Sequence, residues 1–207
     1  MNSYIVNTKY AVEELIDLVT IEESRLVETG LQVEVLQKQH DFLYQDFLRK
    51  DFDPDDHFNE HQLMYAFNKQ AEVQLRIENI EKRIQEMKKV INTHDFSYRV
   101  LAGAILQIAK QGISLVHNGL NTCPDGRIIG NETLKNIIWQ GRNQALHYEE
   151  GRFSQQVVSC FNNLEHTFGN KFSLSQNQHK NLSKDVIDSL GWCNFESFEN
   201  DMISLLG

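Results

Sequence analysis

An arginine and a histidine stand close together in the segment RNQALH, which spans residues 142–147. The arginine, Arg142, is permanently charged, and its planar guanidinium group is suited to hold a phosphate. The histidine, His147, has an imidazole side chain that can accept or release a proton. Together they supply what phosphodiester cleavage requires, which is proton transfer and stabilisation of the charge that develops on the phosphate.

The spacing of the two residues limits how they can cooperate. Residues five apart on a continuous helix lie about 140° apart around its axis, so Arg142 and His147 do not form a close pair. They can still border one groove, particularly if a second copy of the chain supplies the opposite wall. The alternative is that both residues make ordinary polar contacts near a helix end and have no chemical role.

The segment 142–147 resembles the RNxxxH form of the Rx4-6H motif of the HEPN superfamily. That superfamily consists of small all-α domains, many of which are metal-independent ribonucleases of prokaryotic defence and toxin–antitoxin systems. The context is similar as well, because a helix carries the motif, Gly151 follows closely, and a further helix is predicted at 153–168. The resemblance covers about residues 95–170.

The resemblance implies roles for three residues. Arg142 and His147 would be the catalytic pair, and Asn143 would orient them. It also implies a homodimer in which two copies bring their motifs into one composite cleft, with RNA as the substrate. The RNA 2′-hydroxyl would attack the adjacent phosphate without a metal or other cofactor, and an antitoxin or other protein is a possible partner.

One position departs from the pattern of toxins that are paired with a nucleotidyltransferase antitoxin. These toxins often carry a tyrosine two residues after the histidine, where it can be modified. In this chain Tyr148 directly follows His147, and Glu149 takes the second place. The departure argues against regulation by modification of that tyrosine.

The C-terminal part of the chain, residues 93–207, is predicted to be a HEPN-like helical bundle. The apolar pattern resets at 92–95, which predicts a new helix over about 95–119 that ends at Asn118-Gly119. A turn signal, Pro124-Asp125-Gly126, follows it. Further helices are predicted from an N-cap at Asn131 to about residue 150, and over 153–168, 184–190 and 195–206. No segment alternates convincingly enough to predict a strand.

The N-terminal part, residues 1–92, is predicted to form a long helical hairpin. Mainly apolar residues recur at alternating steps of three and four from Val12 to Phe47 and again from Leu63 to Ile91, as in a coiled coil. Glu22, Thr29 and His40 interrupt the apolar character of the first series, which indicates an imperfect heptad pattern. The polar link from Arg49 to Asn59 contains Pro54 and should break the helix. Because the link is short, the two arms should pack antiparallel, and the whole chain is predicted to be all-α.

No metal or cofactor site is predicted. The link carries an acidic cluster (Asp51, Asp53, Asp55, Asp56) and the segment HFNEH at 57–61, which resemble the start of a calcium loop and an inverted zinc-protease motif. The calcium pattern lacks the required glycine, and the zinc pattern lacks a third ligand. The three cysteines, at 123, 160 and 193, are too widely spaced for a CxxC-type site and are expected to be buried thiols.

The distribution of charge along the chain limits which partners it can bind. The chain of 207 residues has a formal net charge of −9, which argues against broad, non-specific binding of nucleic acid. Residues 1–92 contain 11 basic against 18 acidic residues and residues 93–207 contain 9 against 11, so the acidity belongs mainly to the hairpin. No uninterrupted apolar run approaches about 18 residues, and the N-terminus lacks a signal-peptide layout. A cytoplasmic location without membrane attachment is therefore expected.

Three functions remain open at this point. The first is a homodimeric, metal-independent endoribonuclease with its active site in the C-terminal domain. The second is a catalytically inactive interaction protein, in which the hairpin is the working part. The third is a domain that binds RNA or a nucleotide without cutting it.

Overall fold

The structure, a computed structural model, describes residues 2–49 and 60–207. Over these residues the chain forms six α-helices, two short 3-10 helices and one two-stranded ribbon, so the prediction of an all-α chain is confirmed in its main character. The α-helices are α1 (Ser3–Arg49), α2 (Glu60–His117), α3 (Leu134–His147), α4 (Gln155–Phe168), α5 (Ser183–Leu190) and α6 (Phe195–Leu206). The 3-10 helices are Tyr148–Glu150 and Asn170–Phe172.

Two very short strands were not predicted. Strands β1 (Ile128–Ile129) and β2 (Glu132–Thr133) pair antiparallel around a turn in which Gly130 has a φ of +60°. Two residues per strand are too few to produce a visible alternation of polar and apolar side chains. The ribbon also moves the start of α3, whose N-cap is Thr133 and not the predicted Asn131.

Helix α2 runs without interruption through the positions where a new helix was predicted to begin. The predicted break at 92–95 is therefore wrong. The Thr93 hydroxyl donates to the carbonyl of Lys89 at 3.0 Å, so it bonds within its own helix and does not cap a new one. No glycine or proline occurs between Glu60 and Ala102, and nothing in the backbone chemistry requires the helix to stop there.

The chain divides into two compact units. The first unit contains Met1–Glu23 together with Asp95–Gly207, and the second unit contains Ser24–His94. The first unit thus includes the beginning of α1, which the sequence-based division at residues 92 and 93 assigned to the hairpin.

The first unit has a continuous apolar core. Fully buried side chains of α2 pack with those of α3, α4, α5 and α6. Arg99 of α2 is buried as well, and its guanidinium group bonds Asp95, Asp185 and the carbonyl of Asn181. A buried cation with several acceptors is compensated, and these contacts hold α5 and the loop before it against α2.

The second unit pairs residues of α1 with residues of α2. The positions predicted to form the contact surface, including Leu36, Ile77 and Ile84, are less exposed than their neighbours in both segments. His40 joins the segments, since its Nε2 lies 3.0 Å from a carboxylate oxygen of Glu81 and its Nδ1 lies 3.1 Å from Asp41. These hydrogen bonds, to Asp41 first and then to Glu81, raise the pKa of His40. Of the link predicted at 49–59, Arg49 is the last residue of α1 and residues 50–59 lie outside the described residues.

One stretch of α2 is more apolar than the sequence analysis allowed. Between Phe67 and His117 an 18-residue window with a mean hydropathy of 1.3 is long and apolar enough to cross a membrane, by length and composition alone. Within this stretch Ala102, Ile105, Leu106 and Ala109 are completely buried in the protein core. A core helix of a soluble protein passes the same test, so the stretch is weak evidence for a membrane.

Candidate active site

Helix α3 carries all three predicted site residues and packs closely on α5. Its buried face contains Ile137, Ile138, Gly141 and Gln144. A Cβ atom at Gly141 would lie 3.0 Å from a methyl group of Val186, so glycine permits the short approach of the two helices. The opposite face of α3 is left to present Arg142, Asn143 and His147.

Gln144, in the middle of the motif, ties α3 to the chain before α5. Its side chain is completely buried. The amide nitrogen donates to the carbonyl of Lys180 at 2.7 Å, and the amide oxygen accepts from the backbone N–H of Leu182 at 2.9 Å. Both ends of the side chain are therefore bonded to backbone, which fixes the rotation of α3 about its axis.

Arg142 is half-buried and held at two points. Its Nε donates to Oε1 of Gln107 on α2 at 2.6 Å, and its Nη1 donates to Oδ1 of Asn143 at 3.3 Å. Burial lowers the pKa of Arg142, but arginine remains protonated at neutral pH. Within residues 2–49 and 60–207 no carboxylate forms an ion pair with Arg142, so its charge remains available to an anion.

A row of polar side chains along α3 orients Asn143. Its Nδ2 donates to Gln140 at 3.4 Å, and Gln140 in turn donates to Asn136 at 3.2 Å. Asn136 donates to Glu132, which also accepts from Asn163. Because the Asn143 nitrogen is engaged in this row, its oxygen faces Arg142. The row was not predicted, although amide residues recur at steps of three and four in this part of the sequence.

His147 is the last residue of α3 and its side chain is 52% exposed. Its Nδ1 lies 2.7 Å from Oε1 of Glu150, which belongs to the 3-10 helix that follows. Gly151 ends that short helix with a φ of +62°, a conformation that favours glycine. When the imidazole is neutral, Nδ1–H donates to Glu150 because a carboxylate only accepts, and the lone pair is then on Nε2.

The structure joins two of the three predicted residues directly, because Arg142 donates to Asn143, whereas the side chain of His147 bonds Glu150 and neither of the other two. Asn143 and His147 are four residues apart and lie on the same face of α3. Arg142 reaches that face because its guanidinium group bonds Asn143. Arg142 and His147 share no direct contact, which agrees with their five-residue spacing. The arrangement places a positive charge, an amide and an exposed imidazole along one side of the helix.

Exposed apolar side chains lie on the helix faces that carry Gln107 and Arg142, and we call Phe96, Val100 and Leu146 the apolar rim. They are 59%, 48% and 55% exposed. On α2, Phe96 and Val100 share a face with Gln107, the partner of Arg142, and on α3 Leu146 is four residues after Arg142. Apolar side chains around a polar site are typical of a surface that another molecule covers.

No metal centre is found among the residues that the structure describes, since they contain no group of three or more His, Cys, Asp or Glu side chains able to hold an ion. The acidic cluster at 51–56 and His57 lie outside the described residues. Cys123 and Cys160 are buried as expected, whereas Cys193 is exposed, contrary to expectation.

The comparisons with known proteins find no match. No protein-family model, curated protein or solved structure is significantly similar to this chain.

Proposed function

We propose that the chain is a metal-independent endoribonuclease of HEPN type, which acts as a cytoplasmic homodimer in a bacterial defence or toxin–antitoxin system. One observation supports this proposal most: Arg142, which has no carboxylate partner among the described residues, is linked through Asn143 to the helix face that bears an exposed, carboxylate-oriented His147. A free guanidinium and an accessible imidazole are the two groups that phosphodiester transesterification uses.

In the proposed reaction, Nε2 of His147 takes the proton of a ribose 2′-hydroxyl. The 2′-oxygen forms a bond to the adjacent phosphorus, and the bond from phosphorus to the 5′-oxygen of the next nucleotide breaks. The products are a 2′,3′-cyclic phosphate and a 5′-hydroxyl end. Arg142 stabilises the negative charge of the pentacoordinate phosphate, and Asn143 keeps the guanidinium in position.

The proton balance of this reaction supports a homodimer. One base must accept the 2′ proton and one acid must protonate the leaving 5′-oxygen. Each chain would bring one His147 to the site, so a composite cleft of two chains would supply one imidazole for each of these two roles. The apolar rim of Phe96, Val100 and Leu146 is the surface that would be covered when two chains meet there.

The second unit would form an antiparallel, coiled-coil-like hairpin. The contact between His40 and Glu81 supports the pairing of its two arms. The predicted hairpin, residues 1–92, carries 11 basic against 18 acidic residues. This excess of acidic charge opposes non-specific contacts with RNA, so that the proposed cleft remains the main RNA-binding surface.

The test is cleavage of end-labelled RNA in the presence of EDTA. We expect His147→Ala to lower the rate by about 100-fold or more, and Arg142→Ala to lower it by about 100- to 1,000-fold. The matched controls are His166→Ala and Arg152→Ala, which remove the same residue types from exposed positions outside the motif. These controls should cleave like the wild type.

The chemistry of the products gives an independent check. A 2′-deoxynucleotide at the cleavage position should abolish the cut, and the upstream fragment should end in a cyclic phosphate. The proposal is wrong if the folded Arg142→Ala and His147→Ala variants cleave at the wild-type rate, or if the upstream fragment ends in a 3′-hydroxyl.

An interaction protein without catalysis is the second candidate. The exposed apolar side chains of the second unit, such as Leu31, Val35 and Phe42, favour it. In that case wild-type protein cleaves no RNA, and His147→Ala leaves its association with other chains unchanged. RNA that binds through Arg142 and is not cut would indicate a binding domain.

A further inference from the structure

Helix α1 has a second heptad pattern among its exposed residues, part of which borders a groove shared with Arg83 of α2. Six exposed residues follow one another at steps of four and three, and we call them the outer face: Ser24, Glu28, Leu31, Val35, Lys38 and Phe42. Leu31, Val35 and Phe42 are 58%, 65% and 72% exposed. The outer face spans about 27 Å at 1.5 Å per residue.

This pattern has the period of a coiled coil. Alternating steps of four and three place residues along one line of a helix, where a partner helix can pack against them. On the side towards α2 the corresponding residues, such as Leu36 and His40, are covered. The outer face has the same period but is exposed, and exposed apolar residues in this arrangement are typical of an interaction surface.

We propose that the outer face binds the outer face of a second copy of this chain as an antiparallel coiled coil. The sequence of the outer face is symmetric in position about Val33. Leu31 and Val35 lie two residues on either side of it, Glu28 and Lys38 lie five residues on either side, and Ser24 and Phe42 lie nine residues on either side.

A two-fold axis at Val33 therefore produces complementary layers. Glu28 faces Lys38 of the second copy, so opposite charges meet, and Leu31 faces Val35. The smallest residue, Ser24, faces the largest, Phe42. Each layer occurs twice because the contact is isologous. Neither Glu28 nor Lys38 has an ion pair within the described part of the chain, so both are available to a partner.

Other antiparallel registers are less favourable. A shift by one heptad in one direction places Glu28 against Leu31, and a shift in the other direction places Lys38 against Val35. Each shift leaves a charge in an apolar layer without a partner, which is costly. Among these three registers, the one centred on Val33 alone pairs both charges, so it specifies both the partner and the alignment.

The experiment is sedimentation of the full chain over a range of concentrations. Lys38→Glu creates two Glu–Glu layers and Glu28→Lys creates two Lys–Lys layers. Each variant should raise the dissociation constant of this association step at least about 10-fold, since like charges face each other. Lys89→Glu and Glu86→Lys, which change exposed charges elsewhere in the second unit, should behave like the wild type.

Rescue makes the test specific. The double variant Glu28→Lys with Lys38→Glu restores both opposite-charge layers and should associate like the wild type. An equal mixture of the two single variants should form mixed dimers for the same reason. The proposal is overturned if the wild type and Lys38→Glu have the same mass at every concentration, or if neither the double variant nor the mixture regains association.

The inference does not rest on ribonuclease activity. A dimer formed through the apolar rim contributes equally to every protein in this series. The ratio of the mass of each variant to the mass of the wild type therefore reports association through the outer face alone. Loss of RNA cleavage in the His147→Ala variant has no bearing on this ratio.

Discussion

Replacement of Gln144 by leucine tests how α3 is held in place. Leucine has nearly the same volume but leaves the buried N–H of Leu182 and the partly buried carbonyl of Lys180 without their partner. Each unsatisfied group costs about 1–3 kcal/mol. Burial of additional apolar surface offsets about 1–2 kcal/mol of the total. We therefore expect the free energy of unfolding of the first unit to fall by about 1–4 kcal/mol.

Urea unfolding followed by tryptophan fluorescence measures this change. The two tryptophans of the chain, Trp139 and Trp192, both lie in the first unit, so the signal reports that unit. With an m-value of about 2 kcal/mol/M, the midpoint should fall by about 0.5–2 M. The control is Gln111→Leu at an exposed position of α2, which should change stability by less than about 0.5 kcal/mol. Equal midpoints for Gln144→Leu and Gln111→Leu would refute the role assigned to Gln144.

Two further predictions concern Gln107 and His40. Gln107→Leu removes one of the two hydrogen bonds that hold Arg142, a loss of about 1.5 kcal/mol. The variant should therefore remain folded and cleave RNA with a kcat/KM about 10-fold lower than that of the wild type. Unchanged cleavage would show that this hydrogen bond is dispensable. The pKa of His40 is raised by Asp41 and Glu81, so its contribution to stability is fully present below its ordinary value of 6.5 and is lost as pH rises through the raised pKa. Thermal unfolding followed by circular dichroism should show that the stability of the chain decreases between pH 6 and pH 8 by less than about 1 kcal/mol. This decrease should be absent in the His40→Gln variant. An identical pH dependence in both proteins would contradict the prediction.

Helices with chemically marked ends were predictable from the sequence. The helix expected at 195–206 is found at Phe195–Leu206, where the Asn194 side chain accepts from the N–H of Ser197 and a glycine follows. The break predicted at 92–95 is wrong because a change in the apolar pattern does not end a helix. The pattern changes there because the helix passes from the second unit into the first at Asp95, and its surroundings change while its backbone does not.

Only those site residues that lie within one short segment of the sequence were predictable. Arg142, Asn143 and His147 were named because one short segment contains them. Glu150, which orients His147, is three residues further along and carries no signal of its own among other exposed carboxylates. Gln107 lies 35 residues before Arg142 on another helix, and only the packing of α2 against α3 brings the two together. Contacts of this kind depend on helix rotation, which a single sequence does not specify.

The two proposed contacts between copies constrain each other through symmetry. The apolar rim around Arg142 and the outer face of α1 are different surfaces, and each would bind itself across its own two-fold axis. Two isologous contacts on one chain close into a tetramer if their axes intersect at a right angle, and they otherwise produce larger closed assemblies or an open chain of molecules. Lys38→Glu should reduce either kind of assembly to dimers that retain the composite cleft and therefore cleave RNA. A Lys38→Glu protein that dissociates to monomers would show instead that the outer face alone holds the copies together, and the pairing of two His147 residues would lose its structural basis.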